Sequence, residues 1–563
     1  MTKKFLVTSA LPYANGPLHF GHLAGVYLPA DIFCRHKKHL HQKVMHISGS
    51  DEHGVAIMLS AEKAGIGYQQ YVDKWNASHR ELFAKYGIEF DFFGRTSSDY
   101  HKKEVLRWFN DLNSKGYIGK KLEKQLYCSS CSKFLPDRYV EGTCYACGYK
   151  DARGDECPNC GEWIESLRLT DPRCKICSNT RIETRESEHW YLLLSKLESL
   201  FKSWFASKKH WKPHVWAYTN ALLENGMVDR AITRDLTWGI DVPIEEAKGK
   251  KLYVWFDAPI GYVSNTIEHF RASGAKDDAF KDWWKNPDTE IIHFIGKDNI
   301  IFHALIWPCM MLSTGFTNPP DDVPASHFVN LEGRQFSKSA GWYVDSEQAI
   351  DVFGQDALRA YLCSIIPETG DSSFSWDHFI SFNNELGNKI GNFVNRSSSF
   401  LAKHWPDGLP AEAFAKAASA ENFGVFKKSI AELTSALDAF QFQRATSLLI
   451  RFGEIANETF HAREPWKTIK NDKPHAEETI ALSVFSIATI AALFRPFMPK
   501  FSKQLSTYFT GYLDGAGLDA LYQGRVEVMV DAFRGGFRLP VTPSPLLPRI
   551  EEAGVAGFRL GKT

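Results

Sequence analysis

The chain has 563 residues, about four times the ~150-residue domain prior, so three or four structural units are expected. Apolar residues at 44% and charged residues at 23% form an ordinary globular balance and exclude wholesale disorder. Lys+Arg and Asp+Glu are equal at 66 each, which excludes a polycationic coat but leaves room for a local basic groove.

The start, Met1 to Lys4 ahead of Phe5–Ala10, imitates a secretion signal, but its apolar run meets Pro12 too early. Residues 1–117 then alternate short β-rich runs with helical patterns, which predicts the first half of a parallel α/β layer. Within it, strand Phe5–Ala10 runs into Leu11-Pro-Tyr-Ala-Asn-Gly-Pro-Leu-His-Phe-Gly-His22 and a helical pattern. A strand, a Gly-containing turn and a helix start make a corner with free backbone N–H groups, suited to phosphate. His19 and His22, three apart, can both face it, and Gly21 lets a flat base approach the backbone.

Residues 118–232 interrupt the pattern. Eight of the eleven cysteines form four Cys-x-x-Cys pairs here: Cys128/Cys131, Cys144/Cys147, Cys157/Cys160 and Cys174/Cys177. Each pair presents two thiolates to one metal, and two pairs complete a tetrahedral zinc site. Eight ligands imply two zinc ions, and the spacing leaves open whether neighbouring or nested pairs share one. Gly142, Gly148, Gly154 and Gly161 are expected to give the knuckles their backbone freedom. Cys34, Cys309 and Cys363 read as small buried hydrophobes.

The α/β pattern resumes over 233–320, with strands expected at Lys251–Phe256 and Glu290–Ile295. Asn299 to Pro320, the longest uncharged stretch, holds His303, Pro308 and Pro319 and is a poor spanning helix. Residues 321–382 form a linking segment with the loop Gly333-Arg-Gln-Phe-Ser-Lys-Ser339, where Lys338 is placed to put a point charge on a phosphate. From 383 to 540 the pattern is that of an all-α bundle: Leu386, Ile390, Phe393, Val394 and Leu401 follow a three/four spacing, as do Leu448, Leu449, Phe452, Ile455 and Thr459. Thr479 to Phe494 reads as a helix buried in that bundle. The proline-rich start of 541–563 cannot continue a helix and reads as a tail. The protein is expected in the cytoplasm, off the membrane.

His19-Phe-Gly-His22 and Gln335-Phe-Ser-Lys-Ser339 resemble the two signatures of class I aminoacyl-tRNA synthetases. Ala10–Gly16, Gly49-Ser-Asp-Glu-His-Gly54, Val254-Trp-Phe-Asp-Ala-Pro-Ile-Gly-Tyr262 and His293–His303 resemble the methionyl-tRNA synthetase family in particular. The resemblance implies a Rossmann-like catalytic domain interrupted by a zinc-knuckle insertion and followed by a helical anticodon-binding bundle. It implies ligation of methionine to its tRNA through methionyl-adenylate, for initiation and elongation of protein synthesis, with Mg²⁺ accompanying ATP. Catalysis then falls to His19, His22 and Lys338, and ATP contacts to those three with Gly21, Asp298 and Ser337. The methionine pocket falls to Leu11, Tyr13, Asp51, Trp255, Ala258, Pro259, Tyr262 and His303, with Asp51 receiving the ammonium. Asn392, Arg396 and Trp466 take the anticodon-reading positions.

The family's folding further implies that Cys128, Cys131, Cys174 and Cys177 share one zinc and Cys144, Cys147, Cys157 and Cys160 the other. This chain departs from the family at Gln335 and Phe336, where Lys and Met are usual, and at Arg230 and Asn299, where one branch has Trp and Ile. Leucine-, isoleucine- and valine-type enzymes carry a much larger insertion, and a non-enzymatic derivative would not be expected to keep His19, His22, Lys338 and Asp51. With no further module after the bundle, a monomer is expected.

Overall fold

The computed structural model describes residues 3–136, 139–154, 157–160, 162, 164–276, 278–336 and 341–559. Five parallel strands form the central sheet: β1 (Lys4–Ser9), β2 (Lys43–Ser50), β3 (Phe92–Arg95), β4 (Thr289–Gly296) and β5 (Ala325–Ser326). Their spatial order is β5-β4-β1-β2-β3. β1 and β4 are near-continuous buried runs, as expected of parallel strands covered on both faces. Their register pairs Leu6 with Ile291 and Thr8 with His293, so one sheet is built from both ends of the α/β sequence. The order reverses at β1, with β2 on one side and β4 on the other. Such a reversal leaves a crevice at the carboxyl ends of the two central strands, where open α/β sheets bind ligands.

The insertion rises from a long antiparallel hairpin. Ile118–Cys128 pairs with Ile182–Leu192 along its whole length, from Ile118↔Leu192 to Cys128↔Ile182. A small sheet of Val140–Thr143 between Ala152–Arg153 and Thr170–Cys174 sits beyond it.

The expected strand over Lys251–Phe256 is only partly there. Lys251–Leu252 pairs with Thr233–Arg234, but Val254–Asp257 is a helical turn. The Phe256 N–H turns back onto the Tyr253 carbonyl at 2.8 Å, and both Val254 and Phe256 are buried without a ladder. Pro259 then leads into helix Ile260–Ala272. Burial on entry to a helix overrides the β-propensity of Tyr, Val and Phe.

From Trp376 onward the elements among the described residues are helices. Leu386, Ile390, Phe393, Val394 and Leu401 are all buried, as their spacing predicts. In helix Phe442–Ala462 the buried stripe includes Leu449 and Phe452, while Leu448, Ile455 and Thr459 flank it half-exposed. Gly453 lets this helix meet its neighbour: a Cβ there would lie 2.4 Å from Ile390 Cγ1. Among the described residues, Lys473–Leu493 is the one helix long and apolar enough to cross a membrane, and 89% of its apolar window is buried inside the protein.

One buried cation ties the sheet layer to the bundle. The Arg359 guanidinium donates to Asp31 Oδ2 at 2.7 Å and to the carbonyls of Tyr86, Pro496 and Phe497 at 2.8–2.9 Å. The last stretch is not a free tail: Asn384 exchanges two hydrogen bonds with the Ile550 backbone, and Phe558 lies against Trp376 at 5.2 Å.

Candidate functional site

β1 delivers Ala10–His22 to the crevice. The Tyr27 hydroxyl donates to the Ala10 carbonyl at 3.0 Å and holds the strand end in place. His19 is the N-cap of the following helix: its Nδ1 accepts from the Gly21 N–H, and His22 Nδ1 accepts from the His19 N–H, both at 3.2 Å. This is a capping box in which imidazoles replace the usual hydroxyl and carboxylate. A neutral imidazole carries one proton, so with both Nδ1 atoms accepting, each ring keeps its proton on Nε2 as a donor. The two ring centroids are 3.9 Å apart.

Phe336 stacks on His19 at 4.3 Å with the planes 4° apart, and a Cβ at Gly21 would lie 3.0 Å from the His19 ring and 3.5 Å from that of Phe336. Arg334, which precedes Gln335, lies over the Trp342 ring at 4.7 Å. Ser337 and Lys338 lie outside the described residues. Asp298 is exposed in the turn after β4, its carboxylate folded over Gly296, where a Cβ would sit 2.5 Å from Oδ1.

Next to this corner, residues distant in sequence converge. Tyr13 and Asp51 bridge the ends of β1 and β2, with the Asp51 N–H donating to Pro12 and the Ala14 N–H to Asp51. Gly54 adopts φ +104°, and a Cβ there would lie 2.1 Å from the Tyr13 hydroxyl, so only glycine admits that ring. Leu11 packs where a Gly261 Cβ would be, 2.9 Å from its Cδ2. The Tyr262 hydroxyl lies 2.7 Å from His303 Nε2, and His303 Nδ1 lies 3.2 Å from the Asn299 carbonyl. That carbonyl can only accept, so His303 holds its proton on Nδ1 and takes the Tyr262 O–H at Nε2. Burial brings the His303 pKa down to about 4, so the ring is neutral at physiological pH. Trp255 is half-buried and stacks on Phe302 at 4.0 Å. Ala258 and Pro259 join the short helix of Trp255 to that of Tyr262.

The electrostatics centre on Asp51. Its side chain is buried and makes no ion pair among the described residues, accepting only a long contact from the His53 N–H at 3.5 Å. Burial, and then the neighbouring Asp257, push its carboxyl well above the ordinary range. The adjacent Glu52 is differently placed: Arg95 holds it at 2.8 Å, Ser50 donates at 2.5 Å, and Ser97 also donates. His53 Nδ1 lies 2.7 Å from Asp257 Oδ2. Sequence reasoning missed this pair. His53 lies in the Gly49–Gly54 motif and Asp257 in Val254–Tyr262, but nothing local links them across 204 positions.

In the bundle, the three expected residues come together. Asn392 and Arg396 stand one turn apart on helix Asn392–His404, and the Arg396 guanidinium lies 5.7 Å from the Trp466 ring. Arg396 Nη1 also donates to His461 Nε2 at 2.6 Å, a partner that sequence reasoning did not name.

The cysteines form two tetrads, Cys128/Cys131/Cys174/Cys177 and Cys144/Cys147/Cys157/Cys160, with all sulfurs of each within 4.8 Å of one another. The nested pairing implied by the family is the one observed. Sulfur–sulfur distances of 3.6 and 3.8 Å in one and 3.6 and 3.9 Å in the other fit a zinc tetrahedron, whose edge is about 3.8 Å for Zn–S bonds of about 2.3 Å. Amides of Asn179 and Asn159 donate to Cys128 and Cys147. The Tyr149 N–H and that Asn159 amide bring the Cys147 thiol down to about 6, favouring a thiolate. The expected role of glycine is corrected in part. The positive-φ position follows the second cysteine of a pair, and Ser132 and Ser178 occupy it as well as Gly148. Gly142 instead makes room for the Thr170 carbonyl, and Gly161 lies outside the described residues.

Comparison with known proteins agrees with this geometry. The family model for tRNA synthetases class I (M) matches residues 5–398, and that for the anticodon binding domain of methionyl tRNA ligase matches residues 409–559. The methionine–tRNA ligase of Rubrobacter xylanophilus is 39% identical over 569 residues, covering 99% of this chain and 96% of its own. That of Chloroherpeton thalassium is 40% identical, over 98% of this chain and 80% of its own. The solved Mycobacterium tuberculosis methionyl-tRNA synthetase in complex with methionyl-adenylate shares the fold at TM-score 0.78 and 21% identity, covering 97% of this chain and 100% of that one. The chain therefore belongs to the methionine–tRNA ligases, class I aminoacyl-tRNA synthetases that join methionine to its tRNA.

Proposed function

We propose that the crevice at β1 and β4 is where methionine is activated and transferred. The observation that carries this reading is the convergence of Leu11, Tyr13, Asp51, Tyr262 and His303 beside the His19–His22 capping box. In the first step a methionine carboxylate oxygen attacks the α-phosphorus of ATP, and the bond to the β-phosphate breaks to release pyrophosphate. In the second, a ribose hydroxyl at the tRNA 3′ end attacks the carbonyl carbon, and AMP leaves. No enzyme nucleophile is required, so the protein contributes positioning and charge stabilisation.

His19 and His22 donate from Nε2 to the phosphates, Gly21 leaves a flat face for the base, and Asp298 lies beside the ribose. Lys338, with Ser337, adds charge on the leaving phosphates, where Mg²⁺ accompanies ATP. Leu11, Tyr13, Trp255, Ala258, Pro259, Tyr262 and His303 enclose the thioether side chain, and Asp51 takes the ammonium. Aromatic rings suit that side chain, since sulfur at a ring edge is favourable by ~0.3–1.5 kcal/mol.

The two tetrads hold structural zinc, and Asn392, Arg396 and Trp466 read the anticodon. We assign 1–117 and 233–320 to the catalytic domain, 118–232 to the insertion, 321–382 to the linking segment, 383–540 to the anticodon bundle and 541–563 to the C-terminal stretch. We further propose a cytoplasmic monomer; burial of Lys473–Leu493 within the bundle supports placing it off the membrane.

The test is His22→Asn in methionine-dependent exchange of pyrophosphate into ATP. Losing one preorganised donor lowers the rate on the order of 100- to 1000-fold. An unchanged rate would remove the capping-box histidines from the chemistry.

A further inference from the structure

The Asp51–Gly54 turn and the short helix Val254–Asp257 lie against each other, brought together from opposite sides of the insertion: Val254 Cγ1 would be 3.5 Å from a Cβ at Gly54. Their direct side-chain link is the 2.7 Å contact of His53 Nδ1 with Asp257 Oδ2, at 6% and 0% side-chain exposure. Asp257 Oδ1 is buried with no hydrogen-bond partner among the described residues, so its second lone-pair edge is unspent. The turn is otherwise clamped from behind, with the Glu52 N–H on Thr96 Oγ1 at 2.9 Å and Trp238 Nε1 on the Glu52 carbonyl at 2.6 Å.

We propose that His53 and Asp257 are positioning residues for methionine: their hydrogen bond sets Asp51 against the wall of Trp255, Ala258 and Pro259, and Asp257 sets the charge Asp51 presents to the ammonium. The proposal rests on Asp51 receiving that ammonium. Asp51 is faced by Glu52 and His53 on its own turn, by Tyr13 across the β-bridge, and by Asp257 and Tyr262 from the following helices. Glu52 is balanced by Arg95. His101, which faces His53, is neutral because burial holds it well below its ordinary range. The repulsion that opposes ionisation of Asp51 comes first from Asp257 and then from Glu52; burial raises the Asp257 carboxyl as well, and His53 acts against that rise and keeps Asp257 charged.

The two residues should therefore move the acid limb of methionine binding in opposite directions. His53→Gln removes the imidazole and with it the Nδ1 donor to Asp257, since a glutamine amide lies at the Nε2 position, so Asp51 ionises at higher pH and the limb moves up. Asp257→Asn keeps an acceptor for His53 but removes the negative charge, so the limb moves down. Both should raise the methionine KM by about 10- to 100-fold at their worst pH, with ATP KM and kcat within about twofold of the parent.

The experiment is pyrophosphate exchange by the full chain across pH, with thermal unfolding of each variant and Asp51→Asn as reference. Asp257→Asn preserves shape and acceptor, so it reports even where His53→Gln folds poorly. Opposite limb shifts with a selective methionine KM effect support the proposal. Limbs that stay put or move together, with Asp51→Asn strongly impaired, overturn it alone. A normal methionine KM in Asp51→Asn overturns the ammonium assignment along with it.

Discussion

Trp466→Ala separates the two ends of the molecule. Trp466 follows Pro465 at the start of helix Pro465–Asn471, half-buried, with Phe460 at 5.9 Å and His461 at 5.6 Å, both edge-on. Arg396 lies 5.7 Å from the ring. An indole in this setting offers area to an unstacked anticodon base, and losing one such stack is worth about 1–3 kcal/mol, or roughly 5- to 150-fold in tRNA affinity. Full burial would make the truncation cost ~3–5 kcal/mol of stability, and a half-buried ring should cost about 2 kcal/mol. The cation–π contact adds roughly 0.5–1 kcal/mol at an exposed site. On the proposed assignment, adenylate formation draws on none of these residues. Exchange, tRNA charging and thermal unfolding should be measured on one preparation. A charging defect with normal exchange and modest destabilisation is expected. Normal charging would refute the anticodon role, and a stability loss above ~3 kcal/mol would assign the ring to the bundle core.

Four further outcomes follow from the geometry. Because burial and Asp257 hold the Asp51 carboxyl above its usual range, methionine KM should rise as pH falls through that raised value; a flat KM down to pH ~4 would contradict this. Elemental analysis should find two zinc ions per active chain, and one or none would sink the two-site assignment. Gly54→Ala should strain a φ of +104° at about 1–3 kcal/mol and displace Tyr13, raising methionine KM while sparing ATP KM; calorimetry and kinetics read the two effects. Arg359→Met should cost ~3–5 kcal/mol in denaturant unfolding, since it leaves the buried Asp31 with Arg35 as its remaining ion partner and takes the donor from the carbonyls of Tyr86, Pro496 and Phe497; a loss below ~1 kcal/mol would argue otherwise. Burial pushes the Asp31 carboxyl up, but Arg359 and Arg35 outweigh it and hold the pKa low. Its contribution is thus present above the unfolded value near ~3.9 and is lost as pH falls through the folded one.

Legibility in the sequence followed the range of the interactions. The Cys-x-x-Cys spacing is local and pointed directly at metal, but only the family resemblance paired Cys128 with Cys177, because nesting is set by a hairpin eleven residues long on each side. The strand–turn–helix at Phe5–His22 was visible, whereas the capping box was not, since imidazoles rarely cap. Lys251–Phe256 misled because its β-branched and aromatic residues are buried on the way into a helix. The stack of half-buried Trp255 on Phe302 joins two segments that no local pattern links. His53–Asp257 and Arg396–His461 were illegible because each depends on segments that only the fold brings together.

The measurement closest to the central claim is methionine-dependent exchange of pyrophosphate into ATP, followed by charging of tRNA on the same preparation. Methionine should drive exchange well above leucine or isoleucine, beyond the ~1–3 kcal/mol that side-chain size alone provides, and the product should pass to methionine tRNA. Exchange driven equally by leucine, or methionine activation without transfer to that tRNA, would contradict it.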